Sequence, residues 1–167
     1  MNYGYITVAS AIPSVRVADA DYNIKQIESL IAQAEGKGAE IIVFPELSVT
    51  GYSCQDLFAQ QTLLDQTEMK ILQLLDFSRM LDIICIIGAP VCIGTALYNC
   101  AVVCQHGNIL GIVPKRYLPN YGEFYEKRWF ASADDLDCPI EVRFAGNTIT
   151  VSPDIQLFQT CDGVKFG

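Results

Sequence analysis

The sequence predicts an α/β fold built on a mixed sheet with crossover helices. Apolar runs of strand length, Ile41–Phe44 and Ile83–Gly88, alternate with longer stretches whose apolar residues recur at helical spacing. Strand, helix, strand, helix is the rhythm of units in which each helix crosses over the sheet face between parallel strands. Two later pairs of apolar runs flank short turns, which predicts antiparallel hairpins and makes the sheet mixed.

In chain order, the opening MNYGYITVAS has no basic region and runs into a first strand over Tyr5–Ala11, so it does not read as a secretory signal. Asp19–Gly38 places Ala20, Ile24, Ile27, Ile31 and Ala34 on one helical face, opened by Asp19 or Asp21 and closed by Gly36 and Gly38. Ile41–Phe44 lacks polar alternation and predicts a strand buried on both faces, ended by Pro45, which has no ladder donor. A second helix of about twenty residues begins near Gln60, with Leu64, Ile71, Leu72 and Leu75 on one side.

Ile83–Gln105 carries no charge and is long enough to cross a bilayer, but Gly88, Pro90, Gly94, Thr95 and Asn99 break it into two buried strands. Tyr98–Cys104 and Ile109–Val113 bracket His106–Asn108 as one hairpin, and Ile140–Phe144 and Thr148–Val151 flank Ala145–Asn147 as a second. Between the hairpins lies Pro114–Pro139, irregular, aromatic and charged, and too long for a passive connector. The chain stops at Gly167 with no closing helix, which reads as a sheet interrupted in mid-construction.

Composition narrows the function classes. At 51% hydrophobic and 18% charged, the 167 residues suffice for one domain with a sizeable core. Eleven basic against 19 acidic residues give a net charge of -8, which argues against nucleic acid or an anionic membrane as partner. The seven cysteines lack metal-ligand spacing and read as small core residues in a reducing cytoplasm. His106 is the single histidine and sits in a turn, so hydrolytic chemistry here needs a carboxylate as proton acceptor and a lysine to stabilise charge.

Two charged residues stand out by position. Glu46 follows a buried strand at the carboxyl edge of the sheet, the usual address of ligand sites in α/β folds. There it serves either as a general base met by a cation or as a local cap in a solvated loop. Lys115 follows Pro114 at the exit of another strand and is either its partner or an ordinary surface lysine. Tyr117, Tyr121, Phe124, Tyr125, Trp129 and Phe130 come next, among Arg116, Glu123, Glu126, Lys127 and Arg128, and either line a pocket or pack the loop down.

FPELSVTGY at 44–52 and PKRYLPNYGEFYEKRWF at 114–130 resemble the nitrilase, or carbon-nitrogen hydrolase, superfamily. Within it they are most similar to the glutaminase domains of glutamine-dependent NAD+ synthetases. The resemblance implies an α-β-β-α sandwich, of which residues 1–167 would be the front portion of a single amidase domain, truncated at its C-terminus. It implies Glu46 as general base, Lys115 as oxyanion stabiliser, Glu123 as the second glutamate of many members, and Tyr52 and Tyr121 as pocket tyrosines. The family's nucleophilic cysteine, flanked by carboxylates, is expected after Val164–Gly167, and Cys161 does not match it.

The activity implied is hydrolysis of glutamine to supply ammonia for ATP-dependent amidation of deamido-NAD+ by a further synthetase domain. ATP and Mg2+ are expected in that domain and no cofactor in this one. A cytoplasmic homo-oligomer is expected from the resemblance alone, and residues 1–167 are expected to turn nothing over by themselves. A free-standing amidase or carbamoylase and a non-catalytic interaction module are the other readings. A nucleotide-binding unit is disfavoured because Ala11–Val15 stands where a glycine-rich loop would be.

Overall fold

The structure, a computed structural model, describes residues 5–167. Met1–Gly4, the start of the segment read as lacking a secretory signal, lie outside the described residues. Among the described residues, β1 (Val8–Ser10), β2 (Ile41–Val43) and β3 (Ile84–Ile93) run parallel, and β4 (Ala96–Gln105) and β5 (Asn108–Pro114) extend the sheet antiparallel, in the order β1-β2-β3-β4-β5. The sheet is mixed, as the apolar runs and turns predict.

α1 (Ala20–Glu35) joins β1 to β2, and α2 (Gln61–Ser78) joins β2 to β3. Asp19 starts α1 by accepting from the Tyr22 backbone N–H at 3.0 Å, a cap worth about 1 kcal/mol. Ile24, Ile27 and Ile31 of α1 and Ile71, Leu74 and Leu75 of α2 pack on one sheet face against Ile42, Cys85, Ile87 and Val102. A hairpin of β6 (Ile140–Phe144) and β7 (Asn147–Val151) closes the same core through Val142, Phe144 and Val151. The opposite face carries Ile41, Ile84 and Val103, partly covered by Phe158 and Phe166 of the short pair β8 (Phe158–Gln159) and β9 (Lys165–Phe166). Both faces of β2 are therefore covered, which accounts for its unbroken apolar run.

Three expectations need correction. Gly88 and Pro90 do not break the third strand, which runs through both and turns only after Ile93. Ile86 and Gly88 aim their carbonyls at Phe44 N and Val49 N, and the two-residue period turns the Pro90 nitrogen to that same side, where β2 has already ended. No ladder bond is lost there, so the proline is tolerated. The buried face of α2 is Leu63, Thr67, Ile71, Leu74, Leu75 and Ser78, whereas Leu72 is exposed and Leu64 only half-buried. Thr67 and Ser78 join that face because their hydroxyls donate to the Leu63 and Leu75 carbonyls, at 2.8 and 3.0 Å. The hairpin loops are His106–Gly107 and Ala145–Gly146, each with positive φ at both residues, so Asn108 and Asn147 belong to the following strands.

Candidate active site

β2 and β5 point the same way, so Val43 and Pro114 end at one edge of the sheet. Beyond β2 the backbone of Pro45–Leu47 lies directly on β3. A Cβ at Gly88 would stand 2.4 Å from Pro45 O and from Leu47 N, so only glycine permits this approach. Leu47 then turns the chain at φ 52°, and its carbonyl accepts from the Thr50 and Gly51 N–H groups. Glu46 is thereby held over the face opposite the helices. Asn99, inside β4, and Lys115, just past the end of β5, belong to that face by the two-residue period.

The side chains converge. Lys115 Nζ donates to Glu46 Oε2 at 2.7 Å and to Glu126 Oε1 at 3.0 Å. Tyr52 donates its hydroxyl to Glu126 Oε1 at 2.6 Å, and Asn99 Nδ2 donates to Glu46 Oε2 at 2.9 Å. Glu126 is 2% exposed, and its Oε2 lies 3.0 Å from the same ammonium without the geometry of a hydrogen bond. That second contact is therefore coulombic attraction rather than a directed bond.

Burial alone would depress the Lys115 pKa, but hydrogen bonds to Glu46 and then Glu126 outweigh it and hold the ammonium above its ordinary value. Burial, then the hydrogen bond to Glu126, pushes the Tyr52 phenol upward, so it stays protonated and donates. Two carboxylates face one ammonium, and the arrangement can take up a proton next to a fixed positive charge.

The sequence-predicted residues divide. Glu46, Lys115 and Tyr52 are together. Glu123 is exposed and makes none of these contacts, and the carboxylate beside Lys115 is Glu126. The reason is local: a 3-10 turn opens at Glu126, whose N–H donates to Pro119 O and whose carbonyl accepts from Trp129 and Phe130, and this turns Glu126 inward. Tyr121 is also exposed, with its ring 6.1 Å from that of Phe124. Trp129 and Phe130 anchor the loop on Phe58, with ring centroids 6.2 and 4.9 Å away, and Arg128 and Trp129 both donate to Asp56. The aromatic stretch thus both packs the loop and, through Phe124, walls the site.

A cleft of about 410 Å3 opens between Glu46, Tyr52, Lys115, Phe124 and Glu126. An apolar groove of about 290 Å3, floored by Val43, Ile86, Ala101 and Val113, leads to Glu46 and Lys115 from the sheet face. A cleft of about 700 Å3 lies between the 118–135 stretch, Phe58 and the β3–β4 turn, and one of about 610 Å3 lies within the 116–135 loop, but neither contains Glu46, Lys115 or Glu126, and chemistry rather than volume selects the site. Among the described residues no cysteine bonds to Glu46 or Lys115, and Cys161 is exposed in the turn after β8. Among them, too, no group of three or more His, Cys, Asp or Glu is placed to hold a metal ion, and no helix is long and apolar enough to cross a membrane.

The carbon-nitrogen hydrolase family model matches residues 7–165. The chain belongs to the carbon-nitrogen hydrolase family. Among relatives, a glutamine-dependent NAD(+) synthetase of Mycobacterium tuberculosis is 38% identical over 160 residues, covering 96% of this chain and 23% of the relative. A glutamine-dependent NAD(+) synthetase from Cytophaga hutchinsonii superposes with TM-score 0.84 at 27% identity, over 94% of this chain and 26% of that one. An amidase from Nesterenkonia sp. shares the fold, with TM-score 0.66 at 23% identity over 89% of this chain and 56% of that one. The α/β architecture with its mixed sheet is the nitrilase fold, and this carbon-nitrogen hydrolase chain spans about a quarter of the synthetases' length.

Asn99 is the member of this cluster that the sequence does not single out, and Glu126 stands out there only as one of several polar residues among the aromatics that could line a pocket. In the sequence Asn99 reads as a breaker of the uncharged run and as a member of the strand Tyr98–Cys104, neither of which marks it as a site residue. The signal for Glu126 was its place just before Trp129–Phe130, the apolar pair that ties the loop to the core.

Proposed function

We propose that these residues form the base and oxyanion side of a glutamine-hydrolysing site, whose ammonia is used in ATP-dependent amidation of deamido-NAD+ by the protein at its native length. The observation that carries this reading is the Glu46–Lys115–Glu126 cluster, with its 2.7 and 3.0 Å contacts, at the mouth of a cleft. The 38% identity to a glutamine-dependent NAD(+) synthetase supports the substrate.

Glu46 takes the proton of a cysteine thiol, and the thiolate attacks the side-chain amide carbon of glutamine. Lys115 holds the developing oxyanion, while Glu126, bonded by Tyr52, keeps the ammonium charged and in place. The proton passes from Glu46 to the leaving nitrogen, ammonia departs and a thioester remains. Water, losing a proton to the same carboxylate, then releases glutamate and restores the thiol. Glu126 takes the second-glutamate role that the resemblance gave to Glu123. The cysteine comes from outside residues 1–167, as do the groups that bind ATP and Mg2+.

Glutamine hydrolysis by the native-length protein tests the reading. Glu46→Gln should lower kcat by about 10²–10⁴-fold, the usual contribution of a general base, and Lys115→Met by about 10²–10³-fold, the usual cost of an oxyanion donor. The isolated 167-residue chain should release no ammonia. Turnover by that chain alone would overturn the assignment of the nucleophile, and activity in Glu46→Gln would overturn that of the base.

A further inference from the structure

Asn99 is an expensive residue where it stands. Asparagine is depleted in strand interiors, yet this one lies within β4, 2% exposed, flanked by Tyr98 and Cys100 of the core. A buried amide needs partners. Its Nδ2 donates to Glu46 Oε2 at 2.9 Å, and its backbone carbonyl accepts from the Lys115 N–H at 2.8 Å. Because a carboxylate only accepts, the amide nitrogen and not the oxygen faces Glu46. One residue therefore tethers both charged partners, Glu46 through its side chain and Lys115 through its backbone.

Both donors to Glu46 converge on one oxygen. Oε2 accepts from Asn99 and from Lys115, while among the described residues Oε1 accepts from none. A carboxylate held by a single donor can rotate about its last torsion and exchange its oxygens. Two donors, one within β4 and one just past β5, fix which oxygen is held and which is left open. We propose that Asn99 is a positioning residue that, with Lys115, occupies Oε2 of Glu46 and leaves Oε1 as the atom that accepts the proton. This rests on Glu46 being the base, as argued above, and adds which oxygen acts and what selects it.

In the native-length protein, Asn99→Leu keeps approximate volume and the backbone bond to Lys115 but removes the donor. It should lower kcat for glutamine on the order of 10²-fold, the cost of a misplaced catalytic group, with KM little changed, because the amide does not touch substrate. A parallel fall in binding with kcat intact would overturn the proposal, since a merely structural asparagine would loosen the cleft as a whole. Native kcat in Asn99→Leu, with Glu46→Gln inactive, overturns it while leaving the base assignment standing. Native kcat in Glu46→Gln overturns both.

Thermal unfolding of the 167-residue chain tests the contact independently of turnover and of any folding defect in the leucine variant. Asn99→Asp sets two carboxylates against each other and should lower the midpoint. Adding Glu46→Gln restores a donor on the other side of the same bond and should recover part of the loss. Additive effects in this cycle mean that the residues do not interact, and the proposal fails.

Discussion

Lys115 Nζ lies 2.7 Å from Glu46 Oε2 although the two residues are 69 positions apart in the chain. The contact exists because two strands of like direction end at one sheet edge and each hands on a charged residue. It also explains how Glu126, 2% exposed, remains an acceptable core carboxylate: the same ammonium serves both acids.

Removing that ammonium should therefore be felt as stability. Breaking a fully buried pair from one side costs about 3–5 kcal/mol, but side-chain exposure of 21% for Lys115 and 50% for Glu46 lets water screen the loss. Lys115→Met is expected to cost about 2 kcal/mol in urea denaturation. Glu126→Gln added to it should return part of this, since the stranded buried charge is then gone. A native midpoint for Lys115→Met would mean that the cluster contributes nothing to folding.

The alkaline limb of the stability profile follows from the same groups. The folded pKa of Lys115 lies above its ordinary value, because its bonds to the two glutamates outweigh burial, and that of Tyr52 is raised by burial and then by Glu126. A group whose pKa is raised on folding contributes fully at pH below its unfolded value, about 10 for tyrosine and 10.4 for lysine. That contribution is lost as pH climbs through the folded value. Denaturation midpoints of the native chain should fall from about pH 10 upward. The fall should be shallower in Tyr52→Phe and in Lys115→Met, and parallel slopes for all three chains would exclude these groups as its cause.

How much of this was legible follows from what each residue's neighbours are. Ile41–Phe44 could be read because burial on both faces leaves a run with no polar member, and α1 because Asp19 caps it and its isoleucines keep one spacing. Pro90 misled because its harmlessness depends on β2 ending at Val43, a fact about another strand. Leu64 and Leu72 misled because Thr67 and Ser78 can be buried by bonding backward within their own helix. Glu46 and Lys115 were visible as charges at strand exits. Glu126 and Glu123 sit three positions apart in one irregular loop, and only the turn at 126–128 decides which of them faces Lys115.

Gly88 is the residue on which the presentation of Glu46 depends most directly without any side-chain contact. A methyl there meets backbone on two sides, Pro45 O and Leu47 N at 2.4 Å, and backbone cannot rotate away as a side chain would. Gly88→Ala is expected to cost about 1–3 kcal/mol, the range for overpacking a filled site. The strain should be relieved by lifting residues 45–47 off β3, which carries Glu46 away from Lys115. Gly94→Ala is the control: a Cβ there has open space and only its φ of 62° to oppose it, about 1–2 kcal/mol of backbone strain far from the cleft. Crystal structures of the two variants distinguish the effects. The Glu46–Lys115 separation should lengthen in Gly88→Ala and stay at its native value in Gly94→Ala. An unchanged separation in both would show that the loop is positioned by its own hydrogen bonds and not by the missing side chain at Gly88.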